Sequence, residues 1–173
     1  CIQLEDQVIP KRCGHMENKE VVEIDEATIK ISAAVQSRTS NEFLIAARTD
    51  SRATHGLDEA LRRGEAFLSA GADILFIEAP QSIEEMQTIK KEFPETPLIA
   101  NMVEGGKTPE LSVKELEKLG FKIVLRPVTA LLSTADTLRR CYSSLSDESA
   151  AGSPPPMLSF DEYNEMIGLP DYK

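Results

Sequence analysis

Apolar positions follow one another along this chain in two alternating rhythms. Five short apolar runs, at 1–4, 43–47, 74–77, 98–100 and 123–125, read as strands, and the unbroken 43–47 has the pattern of a strand covered on both faces. Between them apolar residues fall three or four apart, which is helical spacing. Ile24, Ala27, Ile31, Ala34 and Val35, with Asp25 as N-cap, predict a helix to about Arg38. Leu57, Leu61, Gly64 and Leu68 predict a second, ended by Gly71. Further helices are expected over 82–93, 112–119 and 130–145, the first two opened by capping boxes, Ser82 with Glu85 and Ser112 with Glu115. Strands separated by helices run parallel, so the pattern predicts either an open doubly wound sheet or a (β/α) barrel, and does not choose between them.

After residue 146 the rhythm stops. Residues 147–158 are rich in small residues and proline, with Pro154-Pro155-Pro156, and read as a linker. Residues 159–173 read as a terminal docking helix and tail: Ser159 and Glu162 form a capping box, Leu158 staples to Tyr163, and Gly168-Leu169-Pro170 stops the helix. Phe160, Tyr163, Met166 and Ile167 give it an apolar stripe, and a helix so short has to dock on something.

Composition narrows the partners. The 173 residues fit one domain, and a net charge of -10 argues against nucleic acid and anionic membranes while leaving room for a local pocket for a small anion. No apolar run reaches the roughly 20 residues that span a bilayer, and no signal-peptide pattern opens the chain. The expectation is a soluble, intracellular protein. Three cysteines, Cys1, Cys13 and Cys141, are too few and too odd for a disulfide framework, so reduced thiols are expected.

In parallel α/β sheets the reactive side chains gather at the carboxyl ends of the strands. Those positions hold Glu5 and Asp6, Arg48 and Asp50, Glu78, Asn101 and Glu104, and Arg126 and Thr129, the types that bind metal ions and carboxylates. The densest stretch is Leu4-Glu5-Asp6-Gln7 followed by Lys11-Arg12-Cys13-Gly14-His15. Cys13 lies in a polar loop where flanking positive charge favours the thiolate, so the functional reading outweighs that of an inert core thiol. His15 either tunes Cys13, touches a substrate oxygen or only bonds its own loop. Arg12 is expected to contact an anion, and Lys11 to be solvated. Glu5, closing a buried strand, needs a cation or a donor. Gly105-Gly106-Lys107-Thr108-Pro109 lacks the Walker spacing and suits a loop closing over an anion. Asp50 with Ser51 serves either the site or the turn into the next helix.

These motifs, with Ala47-Arg48-Thr49-Asp50, Ile77-Glu78-Ala79-Pro80 and the stretch 99–109, resemble the isocitrate lyase/phosphoenolpyruvate mutase superfamily over nearly the whole chain. The likeness is greatest to the methylisocitrate lyase, dimethylmalate lyase and petal-death-protein branch. It implies a (β/α)8 TIM barrel, Mg²⁺ or Mn²⁺ at its carboxyl end, and a carbon-carbon bond lyase that cleaves a 2-hydroxy di- or tricarboxylate through an enolate-like intermediate. The alternatives on the same scaffold are a phosphonomutase of the phosphoenolpyruvate or carboxyphosphonoenolpyruvate type and an oxaloacetate hydrolase. Carried over by position, Glu5 belongs to the metal site and Cys13 is the general acid. Gly14 and His15 lie in the gating loop, Arg48 binds a substrate carboxylate, and Glu78 and Asn101 contact substrate or its water shell. Pro127 stands where the oxaloacetate-hydrolase branch tends to carry serine, which favours a lyase or mutase.

The resemblance further implies that the terminal helix is swapped between subunits of a homo-oligomer, a tetramer of swapped dimers, in the cytoplasm or mitochondrial matrix. The family's metal-binding aspartates belong to earlier strands that this chain lacks. Residues 1–146 are therefore expected to be a partial barrel, about strands 4 to 8 of a longer protein. A catalytically silent fragment is the rival from another class.

Overall fold

The computed structural model describes residues 1–14, 18–146 and 156–172, which divide into two units, Cys1–Thr129 and Ala130–Lys173. In the first unit β1 (Ile2–Glu5), α1 (Ile24–Ser37), β2 (Ile45–Thr49), α2 (Arg52–His55), α3 (Leu57–Ser69), β3 (Ile74–Ile77), α4 (Ile83–Glu92), β4 (Ile99–Asn101), α5 (Val113–Lys118) and β5 (Ile123–Leu125) follow in order. All five expected strands are present. One-turn α2 is the addition: Arg-Ala-Thr-His carries no apolar periodicity that would announce it.

β1, β2 and β3 pair in parallel, as do β4 and β5. A parallel bridge from Leu75 to Leu98 joins the two sets, with the Leu75 N–H donating to the Pro97 carbonyl at 3.1 Å. Strand order therefore follows chain order. A doubly wound sheet reverses order at its switch point; here no reversal occurs, so the wall is of the barrel kind. Among the described residues β1 and β5 each pair on one side only.

Both faces of β2 and β3 are buried, which is why their runs are unbroken rather than alternating, whereas β1 leaves Ile2 and Gln3 exposed. Ile45, Ala47, Leu75 and Ile77 face Ile31, Phe67, Met86, Ile89 and Leu116 of the helices. Ala46, Ile74, Phe76 and Ile99 form a smaller cluster on the opposite face, flanked by Ile123 and Leu125. Each fully buried leucine, isoleucine or phenylalanine contributes about 1.5–3 kcal/mol of hydrophobic stabilisation.

Local details correct three expectations. Phe43 and Leu44 remain partly exposed ahead of β2, which starts at Ile45. Asp25 does not cap α1: Glu23 holds the cap position without a side-chain bond, and Asp25 lies in the first turn, where it favours the helix dipole. The α4 capping box is half made, because Ser82 accepts from the Glu85 N–H while the Glu85 carboxylate turns to the Gln81 N–H and to Arg52. The α5 box is complete. Helices α3 and α5 both end in Schellman motifs, with Gly71 and Gly120 at φ of 99° and 90°; Ala72 donates to Phe67, and Phe121 to Leu116.

The second unit consists of α6, which runs Thr129–Ser146, and α7 (Phe160–Met166), stopped by Gly168 and a 3-10 turn at Leu169–Asp171. The Ser159–Glu162 capping box is present. None of the described residues of these elements is buried. Of the expected linker, residues 147–155 lie outside the described residues. Among the described residues no helix is long and apolar enough to cross a membrane.

Candidate active site

Strand register assembles the site. In-register pairing sets Glu5 beside Arg48 and Arg48 beside Phe76. Because alternate residues share a face, Arg48 lies on the same side as Ala46, above the smaller apolar cluster, with its guanidinium carbon 4.9 Å from the Phe76 ring centre. Its Nε and Nη2 donate to the two oxygens of Asp50 at 2.9 and 3.0 Å. The same guanidinium stands 3.5 Å from Glu5 Oε2 and 3.6 Å from Glu78 Oε1. Burial works against its charge, yet Asp50, Glu78 and Glu5 together hold Arg48 above the usual guanidinium range. Asn101 at the end of β4 donates to Glu78 at 3.1 Å. The ends of β1 to β4 thus share one charged cluster. Ala79, directly after Glu78, is buried in the left-handed region at φ 55°, a conformation costing an alanine about 1–2 kcal/mol.

A second, fully buried layer supports this one. Asp6 accepts from the Thr49 hydroxyl at 2.7 Å, the Asp50 N–H at 2.9 Å and Arg63 Nη1 at 2.9 Å. Burial pushes the Asp6 carboxyl up, against the lowering effect of these three donors. The network fixes the Asp50 backbone, and through it the oxygens that grip Arg48. Asp50 caps no helix: its carboxylate serves Arg48 and Lys19, which decides between its two sequence readings.

The loop carrying Cys13 reaches this cluster through Gly14. A Cβ built on Gly14 would lie 2.2 Å from Glu78 Oε1 and 2.6 Å from Arg48 Nη2, so only a bare backbone fits there. Lys19 donates to the Gly14 carbonyl and lies 3.8 Å from Asp50 Oδ1; burial pushes its ammonium pKa down, against the pull of Asp50 and Glu78. Cys13 is a free, exposed thiol beside Gly14. Arg12 is exposed, and its backbone is held by Gln7. Lys11, expected to be solvated, pairs with Glu5 Oε1 at 2.7 Å while keeping most of its side chain in solvent. His15 lies outside the described residues.

Glu5, Arg48, Glu78, Asn101 and Gly14 are therefore brought together as their positions suggested. Arg126 instead pairs more openly with Glu104 and Glu110, at 3.8 and 3.5 Å. The sequence assigns no individual role to Gln7 and Thr49, although both stand in the motifs quoted above, and marks neither Lys19 nor Arg63. No motif marks a lone lysine or glutamine in a polar stretch as buried; only the fold does.

For a metal ion the fit is partial. Glu5 Oε2 is a buried carboxylate oxygen without a hydrogen-bond partner, and Asn101 Oδ1 is likewise unpartnered. Both suit a hard cation or its water shell. Among the described residues no cluster of three potential ligands exists.

The family model described as phosphoenolpyruvate phosphomutase matches residues 1–145. The chain belongs to this family. Among its relatives is a 2,3-dimethylmalate lyase of Eubacterium barkeri, 47% identical over 97% of this chain and 58% of its own length. The petal death protein of Dianthus caryophyllus is 40% identical over 96% and 52%, and a 2-methylisocitrate lyase of Bacillus subtilis 42% identical over 84% and 48%. The chain thus spans about half the length of the curated relatives it matches. Its fold is similar to the crystal structure of 2,3-dimethylmalate lyase, described as a PEP mutase/isocitrate lyase superfamily member (TM-score 0.89, 34% identity, 98% of this chain and 57% of that one). It is equally similar to oxaloacetate acetylhydrolase bound to 3,3-difluorooxalacetate (TM-score 0.89, 32% identity, 98% and 58%). A phosphonopyruvate hydrolase complex with oxalate and Mg²⁺ matches at TM-score 0.71 and 26% identity, over 98% and 59%. This phosphoenolpyruvate phosphomutase family member therefore shares its α/β wall with lyases and hydrolases alike.

Proposed function

We propose that the complete protein is a carbon-carbon bond lyase acting on a small 2-hydroxy di- or tricarboxylate of the 2-alkylmalate or methylisocitrate type, with this chain forming about strands 4 to 8 of its (β/α)8 barrel. The observation that carries the proposal is the strand-end cluster of Glu5, Arg48, Glu78 and Asn101 with Cys13 on the loop that Gly14 brings against it. The coverage of relatives and the one-sided pairing of β1 and β5 support the partial barrel.

Arg48, desolvated on an apolar floor and charged, is suited to hold a substrate carboxylate. Glu78 and Asn101 orient the substrate's oxygens, Asn101 through its unpartnered Oδ1. Cys13 delivers the proton to the carbon left electron-rich when the bond breaks, the role of a general acid. Glu5 would hold Mg²⁺, or Mn²⁺ in its place, directly or through water, by way of Oε2, which accepts no hydrogen bond, with the remaining ligands supplied by the rest of the complete protein. The chemistry such an ion supplies when bound is positive charge where negative charge develops. The family likeness and the oxalate–Mg²⁺ complex of a relative support that assignment.

A homo-oligomer that exchanges its terminal helix is part of this proposal. Phe160 at 83% exposure, Met166 at 66% and Tyr142 at 67% leave α6 and α7 with apolar surface that supports exchange of the terminal helix within a homo-oligomer.

Oxaloacetate hydrolysis is the second reading, favoured by the equal structural likeness to the acetylhydrolase. Incubating the complete protein and Mg²⁺ with 2,3-dimethylmalate, methylisocitrate, oxaloacetate and phosphonopyruvate separates the cases. Cleavage of one of the first two, abolished by EDTA, is expected. Faster turnover of oxaloacetate or phosphonopyruvate transfers the assignment to hydrolase or mutase, and no turnover at all supports a silent protein.

A further inference from the structure

We propose that Gln7 and Lys19 are positioning residues for Cys13, holding the peptide units on either side of its thiol. The inference rests on the reading of Cys13 as general acid. Cys13 is itself exposed and free, so its place is set by its neighbours. On one side the Gln7 amide grips Arg12 twice: Nε2 donates to the Arg12 carbonyl and Oε1 accepts from the Arg12 N–H, each at 2.9 Å. On the other side Lys19 donates to the Gly14 carbonyl. Both anchors are buried, at 4% and 6% exposure.

Their own placement is rigid. Val8 donates to Glu20 at 2.9 Å and Val22 to Asp6 at 2.8 Å, so residues 6–8 and 20–22 form an antiparallel stem at the root of the loop. That stem continues directly from β1, and it delivers Lys19 to Asp50 in the charged cluster. A lysine in a polar loop is ordinarily solvated, and burying its ammonium is costly unless it has partners. Here those partners are the carbonyl of Gly14, the residue after Cys13, and the carboxylate that grips Arg48. One side chain therefore registers the thiol against the carboxylate-binding arginine. Gln7 suits its task because its amide carries a donor and an acceptor side by side, matching the C=O and N–H of one residue as a strand neighbour would.

The test uses the complete protein with Lys19→Met and the near-isosteric Gln7→Glu, which keeps an acceptor for the Arg12 N–H and loses the donor to its carbonyl. Steady-state kinetics with the preferred substrate and inhibition by oxalate are measured beside thermal melting. Displacing a catalytic group by about 1 Å costs on the order of 100-fold, so kcat is expected to fall roughly 10- to 100-fold while KM and the oxalate inhibition constant move less than about threefold. Unchanged kcat in a folded variant overturns the inference, as does a rise in KM that accounts for the loss. If Lys19→Met does not fold, Gln7→Glu decides alone. Cys13→Ser, run in parallel, separates the failures: full activity there removes the general-acid reading, whereas an inactive Cys13→Ser beside fully active Lys19 and Gln7 variants removes only this inference.

Discussion

Gly14 shows how closely individual residues are fitted. Glu78 Oε1 and Arg48 Nη2 stand only 2.2 and 2.6 Å from where a Cβ would be, so Gly14→Ala has to push apart the Glu78 carboxylate and the Arg48 guanidinium. Turnover is expected to fall on the order of 100-fold, with KM rising because Arg48 is displaced, and with a lowered melting temperature because the methyl group overpacks a buried position. Steady-state kinetics beside a thermal melt check this; an active Gly14→Ala enzyme means that the loop does not sit against Glu78 during turnover. At this scale the sequence was partly legible. Glu5, Arg48, Glu78 and Asn101 could be read because each closes an apolar run, and strand ends are where chemistry collects. Gln7 and Lys19 could not, since a loop stem buries them without leaving any apolar periodicity around them. Asp50 fits both a site and a turn by its position alone, and only its bonds to Arg48, with none to a helix N-terminus, distinguish the two.

Between elements, the clearest electrostatic tie joins α2 to α4. Arg52 of α2 bonds the Glu85 carboxylate in the first turn of α4, and this holds the Glu85 carboxyl below its ordinary value of 4.5 despite partial burial. Glu59 of α3 is lowered in the same direction by Arg62 and Arg63. A group with a depressed folded pKa stabilises the fold above its unfolded pKa, and that contribution disappears as pH falls through the folded pKa. Asp6 shifts the other way, so it cannot produce an acid-side loss of this kind. Chemical denaturation from about pH 6 to about pH 3 should therefore show stability declining below the ordinary carboxylate range, and Glu85→Gln should flatten part of that decline. Parallel curves for the two proteins would contradict the tie. The same pair explains a partly misread helix start: Ser82 and Glu85 have capping-box spacing, but Arg52 competes for the carboxylate. Helix α2, which supplies that arginine, is too short to carry a periodic pattern, so the competition was invisible in the sequence.

For the molecule as a whole, five apolar runs alternating with amphipathic helices were enough to give parallel βα architecture, but not to choose barrel over open sheet. That choice depends on strand order, which hydrophobic patterning does not encode; the Leu75–Leu98 bridge supplies it. Nor does the wall choose a reaction, since a lyase and an acetylhydrolase match it at the same TM-score of 0.89. Under the proposed function, reaction type comes from the side chains at the strand ends and from Cys13 on the neighbouring loop. The most direct measurement is cleavage by the complete protein, parent against Cys13→Ser, with oxalate binding measured alongside. Loss of a general acid costs typically about 100- to 10,000-fold, so cleavage of 2,3-dimethylmalate or methylisocitrate should fall at least about 100-fold while oxalate affinity stays within about threefold. Undiminished cleavage by the serine variant would contradict the central claim.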